Sequence, residues 1–296
     1  MCFFVLAALS YILGWKALVN NQFLMFIGVA VIVWGLTLTQ LGGTKRTAII
    51  ARVGFIFGIV VPVFILMGGL IAYFATGGTS QLAFSGISSI IPDFSQLRTL
   101  VIFASFVLGY MGVESSASHI NELQNPNRNY PMAMIVLCMT AIGFNIMGGL
   151  AVAMTLDSAT LDANMSFGVI QAFETISQYH FNLTWVVYLV AVFLVFGVLA
   201  EISAWIVGLS HALLDTAKLG ITPPMFAETN KNGVSVLTVV LQGIIGTFWD
   251  AVLCASKALS GGSGGSVSYL TSIGLTVVID LIGYILFFLA YFELTL

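Results

Sequence analysis

A chain of 296 residues that is 59% hydrophobic and only 7% charged, with a mean hydropathy of +1.06, is excluded from the soluble domains, which are about half apolar and a quarter charged. A net charge of −3 without a basic tail excludes a nucleic-acid partner. The apolar residues come in long runs rather than ten-residue alternations, so the expected partner is the lipid bilayer, crossed by helices of about 20 residues and not by a barrel.

In chain order, a short apolar piece at 1–14 comes first; it lacks a basic leader region and reads as a helix end. Spans follow near 22–41, 51–75, 97–121, 131–154, 183–208, 234–255 and 267–293, which together make one transmembrane domain. The connections 42–50, 122–130 and 209–233, with Arg52 just beyond the first, carry Lys45, Arg46, Arg128, Lys218 and Lys231. The alternate connections hold only Lys16, Arg98 and Lys257, so the first set is expected to face the cytoplasm. Of the outer connections, the Gly/Ser-rich "SGGSGGS" at 260–266 reads as a flexible link, and "FGVIQAFETI" within 155–182 predicts a short surface helix or lid. Glycosylation patterns at Asn164 and Asn182 are of a kind common by chance and carry no argument.

Three widely spaced cysteines, Cys2, Cys138 and Cys254, make neither a disulfide framework nor a metal site, and His119, His180 and His211 are too scattered for one. No phosphate-cradling loop or nucleophile elbow is present, so neither a cofactor nor enzymatic chemistry is expected.

Chemistry concentrates inside the spans. In "SFVLGYMGVESSAS", Gly109, Gly112, Ser115, Ser116 and Ser118 surround Glu114. Glycine weakens a helix and serine hydroxyls re-satisfy backbone groups that a break frees, so a broken helix near 108–114 is expected, with backbone dipoles facing a substrate near the midplane. Small residues alone fit close helix packing equally well. Glu114 favours the break, because a central acid costs about 2.5 kcal/mol even on the mildest insertion scale and is kept for a cavity or a partner.

Glu201, in "FGVLAEISAWIVGLS", is expected at the depth of Glu114, where two acids in one vestibule would be proton-responsive or gating groups; each is otherwise singly hydrogen-bonded in the bundle. Trp205, four residues on, shares that helix face as a pocket wall or a packing residue. Asp280 lies mid-span in "LTVVIDLIGYILFF", with Tyr284 one turn later, and is expected to face the same cavity. Asp250, near an outer helix end, is expected to be solvated, and "GFIFG" at 54–58 fits small-residue helix packing.

The stretches "YMGVESSASHINELQNPNRNYPMAM" and "LAEISAWIVGLSHALLDTAKLGITPPMFAETNKNGVSV" resemble amino acid antiporters of the amino acid-polyamine-organocation superfamily. The specific elements are G-V-E-S followed by N-P-x-R-x-Y-P, and P-x-x-F-A-x-x-N-K-x-G from Pro223 to Gly233. The resemblance implies an all-α integral membrane protein, a partial LeuT-type bundle of inverted five-helix repeats running from the end of helix three to helix ten of twelve. It implies that 97–121 is the broken sixth helix, with Leu108, Gly109, Tyr110, Gly112 and Glu114 at an amino acid substrate. It further implies that Trp205 and Glu201 face the transport path from helix eight and that Tyr284 is a tenth-helix aromatic.

The resemblance is strongest to the superfamily's glutamate/γ-aminobutyrate exchangers. It implies exchange of external glutamate for internal γ-aminobutyrate across a bacterial inner membrane, contributing to acid resistance through cytoplasmic decarboxylation. Leu209, His211, Ser235 and Asp280 depart from the Pro, Arg, Pro and Tyr expected there. With the superfamily's first helix unmatched, the chain alone is expected to be inactive. Proton-coupled symport, and a non-transporting module that assembles with partner helices, remain open; no pattern sets an oligomeric state.

Overall fold

The computed structural model describes residues 1–82, 91–163, 168–180, 183–259 and 265–295. Its elements, in order, are α1 (Cys2–Leu13), α2 (Ala17–Asn20), α3 (Gln22–Gln40), α4 (Thr44–Phe55), α5 (Val61–Ala75), α6 (Leu97–Leu108), α7 (Pro126–Thr155), α8 (Ser158–Ala163), α9 (Gly168–His180), α10 (Thr184–Lys218), α11 (Val236–Leu259) and α12 (Gly265–Thr295). A π-helical turn, Ile56–Val60, joins α4 to α5, and a 3₁₀ stretch, Val113–Glu122, follows α6. Among the described residues there is no strand, and seven helical stretches are long and apolar enough to cross a bilayer. The expected spans are all present, at Gln22–Gln40, Thr47–Ala75, Thr99–Ile120, Pro126–Thr155, Thr184–Lys218, Val236–Ser256 and Ile273–Leu294.

The centre of the bundle is α10, which packs against α1, α3, α4, the π turn, α9, the 3₁₀ stretch and α11. In a bilayer, lipid tails are as apolar as leucine, so association depends on close packing instead of the hydrophobic effect. The contact between "GFIFG" and α10 shows how: a Cβ at Gly54 would sit 2.1 Å from the Ala200 Cβ, and one at Gly58 would sit 2.1 Å from the Gly197 Cα. Only glycine lets these backbones meet. Pro62, at the start of α5, has no N–H for the carbonyl one turn back, which fits the π turn that precedes it.

A core of Leu66, Leu70 and Tyr73 from α5, Ile170, Phe173 and Ile176 from α9, and Val187, Val190 and Val195 from α10 fills one end of the bundle, with Val5 and Ala8 of α1 packed into it. The short helix expected at "FGVIQAFETI" is α9, and it is no loose lid: Ile170, Ala172, Phe173 and Ile176 are buried in the core while Val169 and Tyr179 stay exposed. The piece at 1–14 is a helix whose Val5, Leu6, Ala7 and Ala8 are buried. On the opposite side of the bundle, Asn230 and Asn232 donate side-chain N–H bonds of 3.1 and 2.8 Å to the Leu41 carbonyl, satisfying an orphan acceptor at the end of α3.

Two further expectations change. The span at 183–208 continues as one α-helix to Lys218, so the polar run "SHALLDTAK" is helical and not a connection. Asp250, expected to be solvated, is only 4% exposed; its Oδ1 accepts a 3.6 Å bond from the Cys254 thiol. Residues 260–264 of the expected flexible link, and the two glycosylation patterns' Asn164 and Asn182, lie outside the described residues, while Gly265 already begins α12.

Candidate functional site

The α-helical ladder of α6 stops at Leu108. Gly109, Tyr110 and Met111 form a turn, Gly112 takes φ 95° and ψ −3°, and the chain resumes as the 3₁₀ stretch. A positive φ is the left-handed region that side-chain-bearing residues avoid, so Gly112 is the residue that permits the break. A break strands carbonyls, and the serines collect them. Ser115 Oγ donates to the Gly112 carbonyl at 2.8 Å, Ser116 Oγ to Val113 at 2.6 Å, and Ser118 Oγ to Ser115 at 2.9 Å.

The freed Gly112 N–H is the hub of the site. It donates to Glu114 Oε2 at 3.1 Å and to the Tyr284 hydroxyl oxygen at 3.4 Å, and that hydroxyl in turn donates to Glu114 Oε2. The carboxylate therefore accepts from a backbone amide and from a phenol carried by α12, a charge-assisted arrangement that ties the break to the neighbouring span. Asp280, one turn before Tyr284 on α12, lies within electrostatic reach of Glu114. Leu108 and Tyr110 flank the break half-buried, and Tyr110 packs edge-on against Phe106 with ring centroids 5.0 Å apart.

From α10, the Trp205 ring lies against the break: a Cβ on Gly112 would be 2.2 Å from its Cζ2. The residues singled out in sequence are thus divided. Gly112, Glu114, Tyr284 and Trp205 meet at one place, with Asp280 one turn from Tyr284 on α12 and Leu108, Gly109 and Tyr110 in the turn beside them. Glu201 stands one turn before Trp205, about 6 Å further along α10 from this contact, and is exposed. The residue of α12 that reaches Glu114 is Tyr284, with Asp280 one turn before it on the same helix.

Two pairings were not anticipated. His119 and His211, which the sequence shows as too scattered for a metal site, have ring centroids 4.7 Å apart. The signal that could have revealed this is the step of the seam: Gly112 meets Trp205, Ser115 meets Gly208 at 2.9 Å from an added Cβ, and His119 meets His211, as two segments running side by side in the same direction. The other is Asp250 with Cys254, one turn apart on α11, whose spacing did indicate a shared face. Among the described residues no group of three or more His, Cys, Asp or Glu side chains is arranged to hold a metal.

Residues 1–295 match the model of a family described as amino acid permease. The chain is 48% identical over 296 residues to a glutamate/gamma-aminobutyrate antiporter of Lactococcus lactis subsp. lactis (strain IL1403), a match that takes in 99% of this chain and 57% of the relative. A glutamate/gamma-aminobutyrate antiporter of Lactococcus lactis subsp. cremoris (strain MG1363) is 48% identical over 285 residues, covering 96% of this chain and 55% of the relative. A cadaverine/lysine antiporter of Escherichia coli (strain K12) is 20% identical over 279 residues, with 94% of this chain and 60% of the relative covered. The chain spans little more than half the length of the curated relatives it matches.

Proposed function

The chain belongs to the amino acid permease family, a family of membrane transporters and not of enzymes, and from this premise we propose that it carries the central site of a glutamate/γ-aminobutyrate exchanger. The observation that carries the reading is the break at Gly112, where Glu114 and Tyr284 converge on a freed backbone amide beside the Trp205 ring. A zwitterionic substrate needs donors for its carboxylate and acceptors for its ammonium group. The turn at 109–112 supplies backbone N–H and C=O groups, Glu114 and Asp280 supply negative charge, and Trp205 supplies an apolar wall.

Glutamate and γ-aminobutyrate are the substrates named for relatives at 48% identity, and this degree of similarity over nearly the whole chain supports transferring them. The arrangement suits exchange: Glu114 is held by Tyr284, and a substrate ammonium would compete for the same carboxylate, so binding would loosen the tie between the break and α12. The LeuT-type inverted repeat fits a span broken at mid-depth against a continuous α10. With 42–50, 122–130 and 209–233 inside, the seven spans suit a bacterial inner membrane, where import of glutamate and export of its decarboxylated product contribute to acid resistance.

Equilibrium binding of labelled glutamate to the purified protein tests the reading. Displacement by γ-aminobutyrate but not by lysine or cadaverine is expected; displacement by the cationic amines in preference to γ-aminobutyrate would overturn the substrate class.

A further inference from the structure

α4 and α7 both start at the end of the bundle that the basic connections assign to the cytoplasm, and a groove of about 500 Å³ runs between them. Phe55, at the end of α4, forms one wall; a stripe of α7 that includes Asn129, Met132, Ala133, Val136 and Thr140 forms the other. The polar groups are turned to their own chain. Asn129 Nδ2 donates to the Gln124 carbonyl, and Thr140 Oγ1 to that of Val136 at 2.7 Å. The groove is therefore apolar along its length and open on one side, where Val136 is 58% exposed.

Its dimensions select an occupant. The eleven residue steps from Asn129 to Thr140 rise about 16 Å, the depth of one leaflet in a hydrocarbon core of about 30 Å. A helix of that length, some 10 Å across, has a volume of about 1,200 Å³ and would seat only in part. An acyl chain of the inner leaflet is narrower and runs in the same direction.

Charge stands at the inner end of the groove. Arg128 is one turn before Met132 on the same stripe, Arg52 is three residues before Phe55, and both are exposed. Side chains on a helix lean toward its N-terminus, here the headgroup side, and an arginine stem lies along apolar surface while its guanidinium reaches out of it. No acid occurs in α4, the π turn, α5 or α7, and among the described residues neither guanidinium is in an ion pair. Two cations at the mouth of an apolar groove match a ligand with one anionic group and a long apolar tail.

We propose that this groove binds an anionic glycerophospholipid, with one acyl chain along the α7 stripe and the phosphodiester held by Arg52 and Arg128. The guanidinium fork suits phosphate oxygens, and two such cations repel the ammonium of a zwitterionic headgroup. Each basic residue near an anionic lipid surface contributes about fivefold to binding. The site is separate from the break at Gly112 and does not rest on the transport reading.

Native mass spectrometry tests it, on the full chain in micelles that hold equal amounts of phosphatidylglycerol and phosphatidylethanolamine with identical acyl chains. The protein should retain phosphatidylglycerol in preference. Arg52→Gln combined with Arg128→Gln should weaken that retention about twenty-fivefold, while lysine at both positions should keep the preference. Ala133→Trp, which fills the groove and leaves both charges in place, should displace the bound lipid. No preference in the parent chain, or a preference that survives the double glutamine change, overturns the site. An equal loss in the lysine variant or on Lys231→Gln, at an exposed position outside the groove, does so as well. Unchanged lipid retention in Ala133→Trp also overturns it, and if that variant instead sheds a second copy of the chain, the groove is an interface between copies.

Discussion

Adding one methyl group at Gly112 tests whether the break is what organises the site. Alanine at φ 95° and ψ −3° is strained by about 1–3 kcal/mol, and its Cβ would lie 2.2 and 2.3 Å from the Trp205 Cζ2 and Cη2. Ordinary carbon contacts need about 3.5 Å, so the indole must retreat by more than an ångström into a packed seam, an overpacking cost of about 1–3 kcal/mol. Together these disfavour the broken conformation by about 2–6 kcal/mol, and even the lower figure depopulates it about thirtyfold. A double-mutant cycle separates the two parts, because Trp205→Leu removes the clash and leaves the backbone strain. Measured by reversible unfolding in mixed detergent micelles, Gly112→Ala should cost about 1–3 kcal/mol less in the Trp205→Leu background than in the parent. An equal cost in both backgrounds would refute the Gly112–Trp205 contact, and a neutral Gly112→Ala would refute the positive-φ break itself.

Other outcomes follow from the same contacts. Tyr284→Phe removes the phenol that donates to Glu114, and a hydrogen bond to a charged group is worth about 1.5–3 kcal/mol, so glutamate affinity should change tenfold or more while the elution profile of the protein is unaltered. Glu114→Gln keeps the shape and removes the charge; the pH profile of glutamate binding should flatten, and an unchanged profile would remove Glu114 from any proton-responsive role. Gly58→Val forces a side chain into the Gly197 backbone and should lower the melting temperature far more than Gly274→Val, where a Cβ meets nothing within 4 Å. Asp250→Asn replaces a buried carboxyl by a neutral group of the same shape and should leave the melting temperature equal or higher, whereas Asp250→Leu loses the Cys254 partner; a marked loss in the asparagine variant would mean that a buried charge there is needed.

Much of this architecture can be read before any coordinates. Apolar run length gives the spans, because a bilayer admits only helices that satisfy themselves, and Gly109, Gly112 and the serines point to the break only together with Glu114, since small residues alone fit close packing as well. The partners cannot be read so directly. Glu114 is joined to Tyr284 across 170 residues, and no local pattern selects Asp280 over Glu201 as the nearby acid. Counting from span ends sets Glu201 level with Glu114, but the ladder of α6 is interrupted before Glu114 while α10 is continuous, and Gly112 lies against Trp205, one turn beyond Glu201.

Hydropathy also ends spans where polarity begins, while helices end where capping and packing allow; α10 therefore runs ten residues past residue 208, to Lys218. Asp250 looked like an exposed terminus for the same reason. Its burial comes from α1 and α3, whose Leu6, Met25 and Val29 cluster with Cys254 one turn away, a contact between segments more than 200 residues apart in sequence.

Gly112, Glu114, Trp205 and Tyr284 are proposed to make the exchange site for glutamate and γ-aminobutyrate. The most direct measurement is counterflow in liposomes by a chimera in which residues 1–296 replace the matched region of the Lactococcus lactis subsp. lactis relative. With γ-aminobutyrate inside and no proton gradient, labelled glutamate should accumulate, and Tyr284→Phe should reduce the initial rate about tenfold or more. Uptake that ignores internal γ-aminobutyrate and requires an imposed proton gradient, or a rate unaffected by Tyr284→Phe, would contradict the account.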